Sequence, residues 1–448
     1  MTSYSLLKLV LRVKKCIVKE PRIEFDEVGN PEKLIVPVKP YKSERNRCPK
    51  CGRKCSGYDS LGTRRWRAPD FNGVKVELEA EQKRIYCRKD GVVTPDVEWA
   101  YRGSSFTTEF ERLVGWMSRC LSKKEIAELM RIDWATVGRC VSRVRDDLEP
   151  DLDGRLDGLV NIGIDETSYK KGHKYITVIV NHDTNAVAWL HEGHGKSVLE
   201  EFYKKLSDKQ KSSIKVVTGD GARWITECVE QFTPDCVRCM DSFHVVEWAN
   251  AAVDAVRIEE WRKLLAIIPE ETRKQGRPEK NDERHNEAKR LKSNAVRIKE
   301  SSYAVGKAPE HLTEKQKETL EIIQRQTPRY YRAYDMKETL RNILKMNDFE
   351  EARNALRKWR WKASHSRIDS FKKLAEKIKR NEEFILNTIK HGFSNARIEA
   401  TNNKIKLIIR RSYGFRNIKN MLDMIYLCCS NLSIPLPGRY YMQDDEIA

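Results

Sequence analysis

The sequence has no apolar stretch long enough to cross a membrane. Its longest apolar runs, such as Tyr175 to Val180, stop far short of the roughly 20 residues a span requires. It has no internal repeat of constant period and no low-complexity tract, so nothing points to a solenoid or a disordered linker array. The opening stretch, Met1 to Arg12, is broken by Lys8 and lacks the small-residue cleavage site of a signal peptide. A cytoplasmic, nucleoid-associated location with no membrane partner is the expectation that follows. Without export, twelve cysteines argue for free thiols and a metal site and against a disulfide framework. Acidic residues are also in short supply: 66 Asp and Glu against 85 Lys and Arg leave a formal charge of +19 over 448 residues. With a pI near 9.3, that balance favours a polyanionic partner over a merely lysine-rich surface. The basic residues run along the whole chain, which fits an extended contact surface better than a charged tail. A mean hydropathy of −0.67 and 34% charged residues describe a soluble protein, and the length allows two to four domains.

What is present centres on Asn161-Ile162-Gly163-Ile164-Asp165-Glu166, a strand of small and β-branched residues that ends in two carboxylates. A buried carboxylate needs a partner, so Asp165 faces a cation or a proton to be moved, unless it is a surface Asp capping a turn. Ile214 to Asp220 repeats the design, with Gly221-Ala222-Arg223-Trp224 opening a helix. Between them, Lys174–Val180 and Ala186–Leu190 read as strands joined by a turn at Asn181–Asn185, and a helix spans Ser197 to Leu206. Cys236 to Asp241 makes a fifth strand. Neighbouring strands of one sheet would set Asp165 beside Asp220, and two adjacent carboxylates repel unless a cation such as Mg²⁺ lies between them.

Upstream, Ile23–Phe25 and Leu34–Val38 form a hairpin about Gly29-Asn30-Pro31. Cys48-Pro49-Lys50-Cys51-Gly52 is a zinc knuckle, matched by Cys87-Arg88-Lys89-Asp90-Gly91, with Asp90 in the fourth ligand position and Cys55 as a substitute ligand. The alternative is a decayed ribbon held by packing. Arg64, Arg65 and Arg67, around Trp66, suit a phosphate backbone or a solvated face. From Phe106 to Leu148 the pattern is helical. Leu121–Met130 and Trp134–Val144, joined at Arg131-Ile132-Asp133, resemble a helix-turn-helix that offers Thr136, Arg139, Ser142 and Arg143 to a groove. Glu149 to Gly154 is a linker. Asp241-Ser242-Phe243-His244 either supports the acidic site or bonds internally. Glu247 to Lys390 is long, charged and helical, with breaks at Gln275–Glu279 and Ala308-Pro309. In it, Arg357–Lys362 alternates cations with Trp359 and Trp361, for a strand of nucleic acid or for the core. Finally, Asn395 to Lys406 forms a helix with Glu399, Asn403 and Lys406 along one face, and Arg410 to Asn417 follows.

This order of motifs, from Cys48 to about Cys429, resembles the bacterial insertion-sequence transposases of the ISL-three family, which are DDE recombinases. The most specific parts are Gly163–Lys171 and Asn395–Asn417. The resemblance implies an α/β protein with an RNase H-like core, a mixed five-stranded sheet with helices, interrupted by a helical insertion. A small zinc-ribbon-like module and a helix-turn-helix precede it. The implied boundaries are 1–100, 101–150, 155–250 and 391–435 for the two core parts, 251–390 for the insertion and 436–448 for a tail. It also implies an acidic triad of Asp165, Asp220 and Glu399 holding two Mg²⁺ (or Mn²⁺), with one structural Zn²⁺ on Cys48, Cys51, Cys87 and Asp90. Members usually carry His or Cys where this chain has Asp90. Glu166 and His244 would support the triad. Arg64, Arg65, Arg67, Thr136, Arg139, Arg143, Lys170, Lys171, Lys404, Lys406, Arg410 and Arg411 would contact DNA. The expected partners are double-stranded transposon ends and target, with a homodimer or larger synaptic assembly. The expected function is binding of terminal inverted repeats, then strand cutting and joining by hydrolysis and transesterification. The alternative is a regulator derived from a transposase that binds DNA without cutting it. A junction resolvase or RNase H is a third reading, but it has little need of the N-terminal module or the insertion.

Overall fold

A computed structural model of the chain describes residues 3–268, 283–392 and 396–435. The Gln275–Glu279 break, Phe393 to Asn395 and the 436–448 tail lie outside them. The chain divides into two compact units, Met1–Gly154 with Asn403–Ala448, and Arg155–Asn402. No helix among the described residues is long and apolar enough to cross a membrane.

The first unit opens with α1 (Ser3–Val10), β1 (Cys16–Val18), β2 (Arg22–Phe25) and β3 (Pro31–Pro40). The β2–β3 hairpin is the one expected, with Arg22 paired to Ile35. Two long strands, β4 (Ser56–Phe71) and β5 (Val74–Cys87), turn at Asn72-Gly73, both with positive φ, and β6 (Gly91–Val93) closes the sheet. Alternation along β5 buries Val76, Leu78 and Ala80 against Val36, Trp66 and Trp99. The helix-turn-helix forms as read: α2 (Thr108–Met117), α3 (Lys123–Met130) and α4 (Trp134–Leu148). Ser122 and Glu125 make a reciprocal capping box at α3, Arg131 ends it in the left-handed region, and Asp133 caps α4. Its core is Phe110, Val114, Ile126, Met130, Val137 and Cys140.

The second unit holds a five-stranded sheet in the order β11-β10-β7-β8-β9. Its strands are β7 (Asn161–Lys170), β8 (Lys174–Asn181), β9 (Ala186–Glu192), β10 (Val216–Gly219) and β11 (Val237–Met240). β7, β8 and β9 are antiparallel, whereas β10 runs parallel to both β7 and β11. The intervening helices are α5 (Lys196–Lys205), α6 (Asp208–Ser213) and α7 (Arg223–Phe232). One face of the sheet, through Ile162, Ile164 and Val217, packs on Leu199 and Phe202 of α5 and Ile225 and Val229 of α7. The insertion follows β11 directly: α8 (Ser242–Ile267), α9 (Glu283–Glu300), α10 (Ser302–Gly306), α11 (Glu314–Gln326), α12 (Pro328–Ile343), α13 (Phe349–Ser364), α14 (Asp369–Arg380) and α15 (Glu382–His391). It has its own core, which includes Val253, Tyr330, Leu340, Leu356, Trp359 and Phe371. The two tryptophans of the basic-aromatic run part company there. Trp359 is buried with its indole N–H donated to Met336 O at 2.7 Å, while Trp361 is exposed and stacks on His365. Two more helices follow among the described residues, α16 (Ala396–Arg411) and α17 (Ile418–Cys429).

Candidate active site and metal centre

The acidic site is built from strand register. Ile162 pairs with Val217 and Gly163 with Thr218 in the parallel β7–β10 ladder. Two residues further along each strand stand Asp165 and Asp220, at the same level on adjacent strands. Asp220 leaves the strand in a tight turn, its Oδ1 accepting from the Ala222 N–H at 2.9 Å. Beneath this turn lies Arg238, 5% exposed, whose guanidinium donates to the carbonyls of Val217, Cys239 and Asp220, the last at 2.5 Å. Burial pushes Arg238 down to about 10 despite the nearby Asp220 charge.

The opposite face of β7 receives α16. Gly163 and Asp165 alternate onto that face, and Ile398 and Asn402, one helical turn apart, meet them. A Cβ on Gly163 would overlap Ile398 Cδ1 and stand 2.8 Å from His182 Nε2, so only glycine admits the helix this closely. Asn402 is buried, and its amide donates to Asp165 Oδ2. The other carboxylate oxygen accepts the Glu166 N–H at 2.7 Å. Glu399 follows Ile398 directly and precedes Asn402 by three residues, with its side chain exposed. The helix phase differs from expectation by one residue: Asn402, not Asn403, faces the site, and Asn403 is exposed. Asn402 Oδ1 is buried with no hydrogen-bond partner among the described residues, an oxygen suited to a cation or a water.

Electrostatics single out the same place. Burial raises Asp165 to about 6, with the charges of Asp241 and Asp220 adding to the rise and His244 opposing it. Asp241 ends β11 and caps α8, and its backbone N–H donates to Gly219 O at 2.9 Å. Three adjacent parallel strands therefore each supply an aspartate: Asp220 and Asp241 directly follow β10 and β11, whereas Asp165 lies within β7, which runs on past the two carboxylates expected to end it. His244 lies between Asp241 at 3.7 Å and Glu247 at 3.1 Å. Glu166 points to the other side of the sheet and accepts the Gly195 N–H at 2.8 Å, at the start of α5, and burial raises its pKa too.

Sequence reasoning passed over two further residues. Lys377 of α14 sets its ammonium 3.6 Å over the Trp248 ring of α8, within electrostatic reach of Asp220. A Cβ on Gly221 would come within 2.6 Å of that tryptophan. The Gly in Asp220-Gly221 was the available signal, because a glycine after a strand-end Asp marks close approach. Nothing in the sequence pairs Trp248 with a lysine 129 positions later.

The second centre is in the zinc-knuckle region. Among the described residues, Cys48, Cys51, Cys87 and Asp90 are the one group of three or more His, Cys, Asp or Glu gathered as for a single ion, with all four ligand atoms within 4.8 Å of one another. Asp165, Asp220 and Glu399 are not drawn together to that degree. Cys51 and Cys87 sulfurs are 3.6 Å apart, close to the about 3.8 Å edge of a tetrahedron with ~2.3 Å zinc–sulfur bonds. Asp90 Oδ2 lies 3.1 Å from Cys48 Sγ and 3.4 Å from Cys87 Sγ, so the aspartate occupies the fourth corner. The neighbouring Cys48 thiol holds its pKa low. Cys55, the substitute ligand, is outside the group and donates to Arg53 O at 3.4 Å.

The residues named for DNA contact are disposed unevenly. Arg65 is engaged by Glu24, Glu77 and Glu79. Arg64 donates to Ser104 O at 2.7 Å, and Arg67 to Asp70 at 2.8 Å. On α4, Thr136 is buried, Arg143 is bound to the fully buried Glu111 at 2.7 Å, and Ser142 donates to Asp423 of α17 at 2.5 Å. Arg139 is exposed, as is Trp134 in the first turn. The inward turn has a packing cause: α17 crosses α4 at Gly138, where a Cβ would stand 2.6 Å from Asn420 Nδ2, and buried Arg145 pairs with Asp423 at 2.7 Å. Lys170 and Lys171 are exposed at the β7–β8 turn, and Lys404, Lys406 and Arg410 are exposed on α16. Arg411 is half-buried there.

Comparison with known proteins agrees along the whole chain. Residues 44–90 match the zinc-finger of transposases IS204/IS1001/IS1096/IS1165, residues 95–145 the helix-turn-helix domain of transposase family ISL3, and residues 162–425 the ISL3 DDE transposase model. These matches define the class, a DNA transposase that carries its own zinc ribbon and helix-turn-helix. The chain belongs to the ISL3 family of insertion-sequence transposases. It is 38% identical over 443 residues to the transposase for insertion sequence element IS1557 of Mycobacterium tuberculosis, covering 98% of both chains. It is 25% identical over 380 residues to the transposase for IS1001 of Bordetella parapertussis, covering 83% of this chain and 85% of the other.

Proposed function

We propose that this transposase binds the terminal inverted repeats of its element and cuts and joins strands with divalent metal held by Asp165, Asp220 and Glu399. The observation that carries the reading is the Asn402–Asp165 hydrogen bond. It ties the helix of Glu399 to the strand whose register neighbour ends in Asp220. The donor set fits Mg²⁺: hard carboxylate oxygens on a partly buried floor, where Asp165 carries a charge that its surroundings do not neutralise. Two bound Mg²⁺ ions would supply activation of the attacking water or DNA 3′-hydroxyl and stabilisation of the leaving oxygen. The chain's own residues prepare that site. Asn402 and the Glu166 N–H fix the orientation of the Asp165 carboxylate. Arg238 holds the carbonyl ends of β10 and so the turn that presents Asp220. Glu166 secures the start of α5. Asp241 and His244 set the local field, and Lys377 offers a cation to a DNA phosphate beside Asp220. In the N-terminal unit, Zn²⁺ on Cys48, Cys51, Cys87 and Asp90 would hold the ribbon, and exposed Trp134 and Arg139 begin the helix that enters a groove. Two ends must be held together, so a homodimer or larger assembly working at the nucleoid is expected.

The test is incubation with the inverted repeats that flank the gene, in Mg²⁺ or Mn²⁺, with nicks mapped to the nucleotide. Cuts at the element boundary that vanish with Asp165→Asn, while end binding persists, support the proposal. Wild-type binding without any cut in either metal refutes it in favour of a DNA-binding regulator.

A further inference from the structure

A cavity of about 400 Å³ opens in the N-terminal unit between the end of α2 and the later turns of α16. Its walls carry three cations, Arg119, Lys404 and Arg411, and no lining residue is acidic. Lys404, Leu407 and Arg411 recur at helical spacing on one face of α16. Arg411 is oriented by donating to Ser118 O at 3.0 Å, and neither Arg119 nor Lys404 has a carboxylate partner among the described residues. Between the cations the lining is apolar: Trp116, half-buried, and Leu407, 58% exposed. Cys120, the one exposed cysteine among the described residues, sits at the rim. The Arg119, Lys404 and Arg411 charges all reach the buried Cys428 thiol, which places them in one electrostatic neighbourhood.

We propose that this cavity binds an unpaired DNA strand, with phosphates on Arg119, Lys404 and Arg411 and a base against Trp116 and Leu407. Three like charges in a lining that holds no carboxylate repel one another, with Arg411 eased by the Glu125 charge outside it, and a phosphodiester strand removes the remaining cost. Duplex DNA would satisfy the cations but leave the aromatic and apolar floor facing water, because its bases are stacked inside the helix. A cationic channel interleaved with aromatic surface is the arrangement that grips single strands. The strand has a source in the reaction proposed above, on which this inference rests. Cutting at a duplex end leaves a terminus free to fray.

The test uses the full-length Asp165→Asn protein without divalent metal, so that its outcome is independent of cleavage. A labelled 20-nucleotide strand of mixed sequence and its duplex are titrated at two salt concentrations. Trp116→Leu, which keeps apolar bulk, should weaken single-strand binding about 10-fold and duplex binding less than about 2-fold. Arg119→Ala with Lys404→Ala should lower the single-strand salt slope by about 1.4, two phosphate contacts at ~0.7 each. Independently of any variant, the single strand should slow alkylation of Cys120 by N-ethylmaleimide at least about 5-fold, read by peptide mapping. Equal losses for strand and duplex in Trp116→Leu, or Cys120 alkylation unchanged by the strand, overturns the proposal. Its failure would leave the acidic triad untouched, because end cleavage by the wild-type chain is scored separately.

Discussion

The zinc-knuckle cluster and the acidic site are two carboxylate-containing candidate metal centres built in opposite ways. In the first, two tight turns aim Cys48, Cys51, Cys87 and Asp90 at a common point, and all four ligand atoms lie within 4.8 Å. In the second, Asp165 and Asp220 come from neighbouring strands and Glu399 from a helix 179 residues further on, and the three are not gathered to that spacing. On the proposed function the difference has a physical reason. A structural site stores folding energy, so its ligands close on the ion completely. A site for phosphoryl transfer must leave coordination positions to substrate oxygens and is completed with DNA in place. If that comparison is right, the two centres respond to mutation in different currencies.

The largest effect is expected in the acidic site. Asp165→Asn, Asp220→Asn or Glu399→Gln should lower end cleavage by about 10³-fold or more, with unchanged Tm or a gain and undiminished end binding. Cleavage within about 5-fold of wild type for any one of them removes that residue from the triad.

In the zinc-knuckle cluster the loss should appear as stability. Cys48→Ser or Cys87→Ser should abolish stoichiometric zinc and cost at least about 3 kcal/mol of the N-terminal unit, and chelation of the wild type should do the same. Asp90→Cys should tighten zinc retention in a chelator competition. Equal thermal melts for wild type and Cys87→Ser, with and without chelator, would mean that packing alone holds the ribbon.

Gly163→Ala probes the joint between β7 and α16, the helix that carries Glu399. The added methyl would press on Ile398 and His182, and overpacking of this kind costs about 1–3 kcal/mol. Displacement of α16 should reduce cleavage by about 10²-fold. Ile398→Val should restore part of the activity by vacating the space. A double variant no better than Gly163→Ala alone would show that the glycine serves something other than this contact.

How much of this could be read from the chain depends on the range over which each contact is specified. The knuckle turns and the apolar, β-branched runs of β7, β8 and β9 are local patterns, and elements formed at each of them, with β7 longer than read. Asp165 and Asp220 were legible because each follows an apolar strand segment, although only Asp220 comes at a strand end and β7 continues through Asp165 to Lys170. The phase of α16 was not. Asn402 and Asn403 both lie about one turn beyond Glu399, and the close approach that Gly163 allows to Ile398 goes with Asn402 turning inward. The groove face of α4 failed for a similar reason. Ser142 and Arg143 look solvent-bound on a helical wheel, but Asp423, from a helix some 280 residues later, and Glu111 claim them. Long-range ion pairs of this kind have no local signature.

The smallest expected effect is also the one that most directly tests what the acidic site lacks. Burial raises Asp165 to about 6 from the ordinary aspartate value of 3.8, so the folded chain binds more protons than the unfolded chain between those values. The sign follows: the fold is favoured below about pH 4, loses stability as pH rises to about 6, and carries the full cost above it. The shift sets an upper bound of roughly 3 kcal/mol. Relaxation of Asp220, Asp241 and His244 should leave about 1–2 kcal/mol to be measured. Asp165→Asn, inactive in cleavage, should therefore be more stable than wild type at pH 7.5 in metal-free buffer by that amount, and its stability should be flatter between pH 4 and 6. Added Mg²⁺ should narrow the gap by stabilising only the wild type. Denaturant melts across pH 4 to 8 that run parallel for the two proteins would show that Asp165 has no unmet charge for a metal to answer.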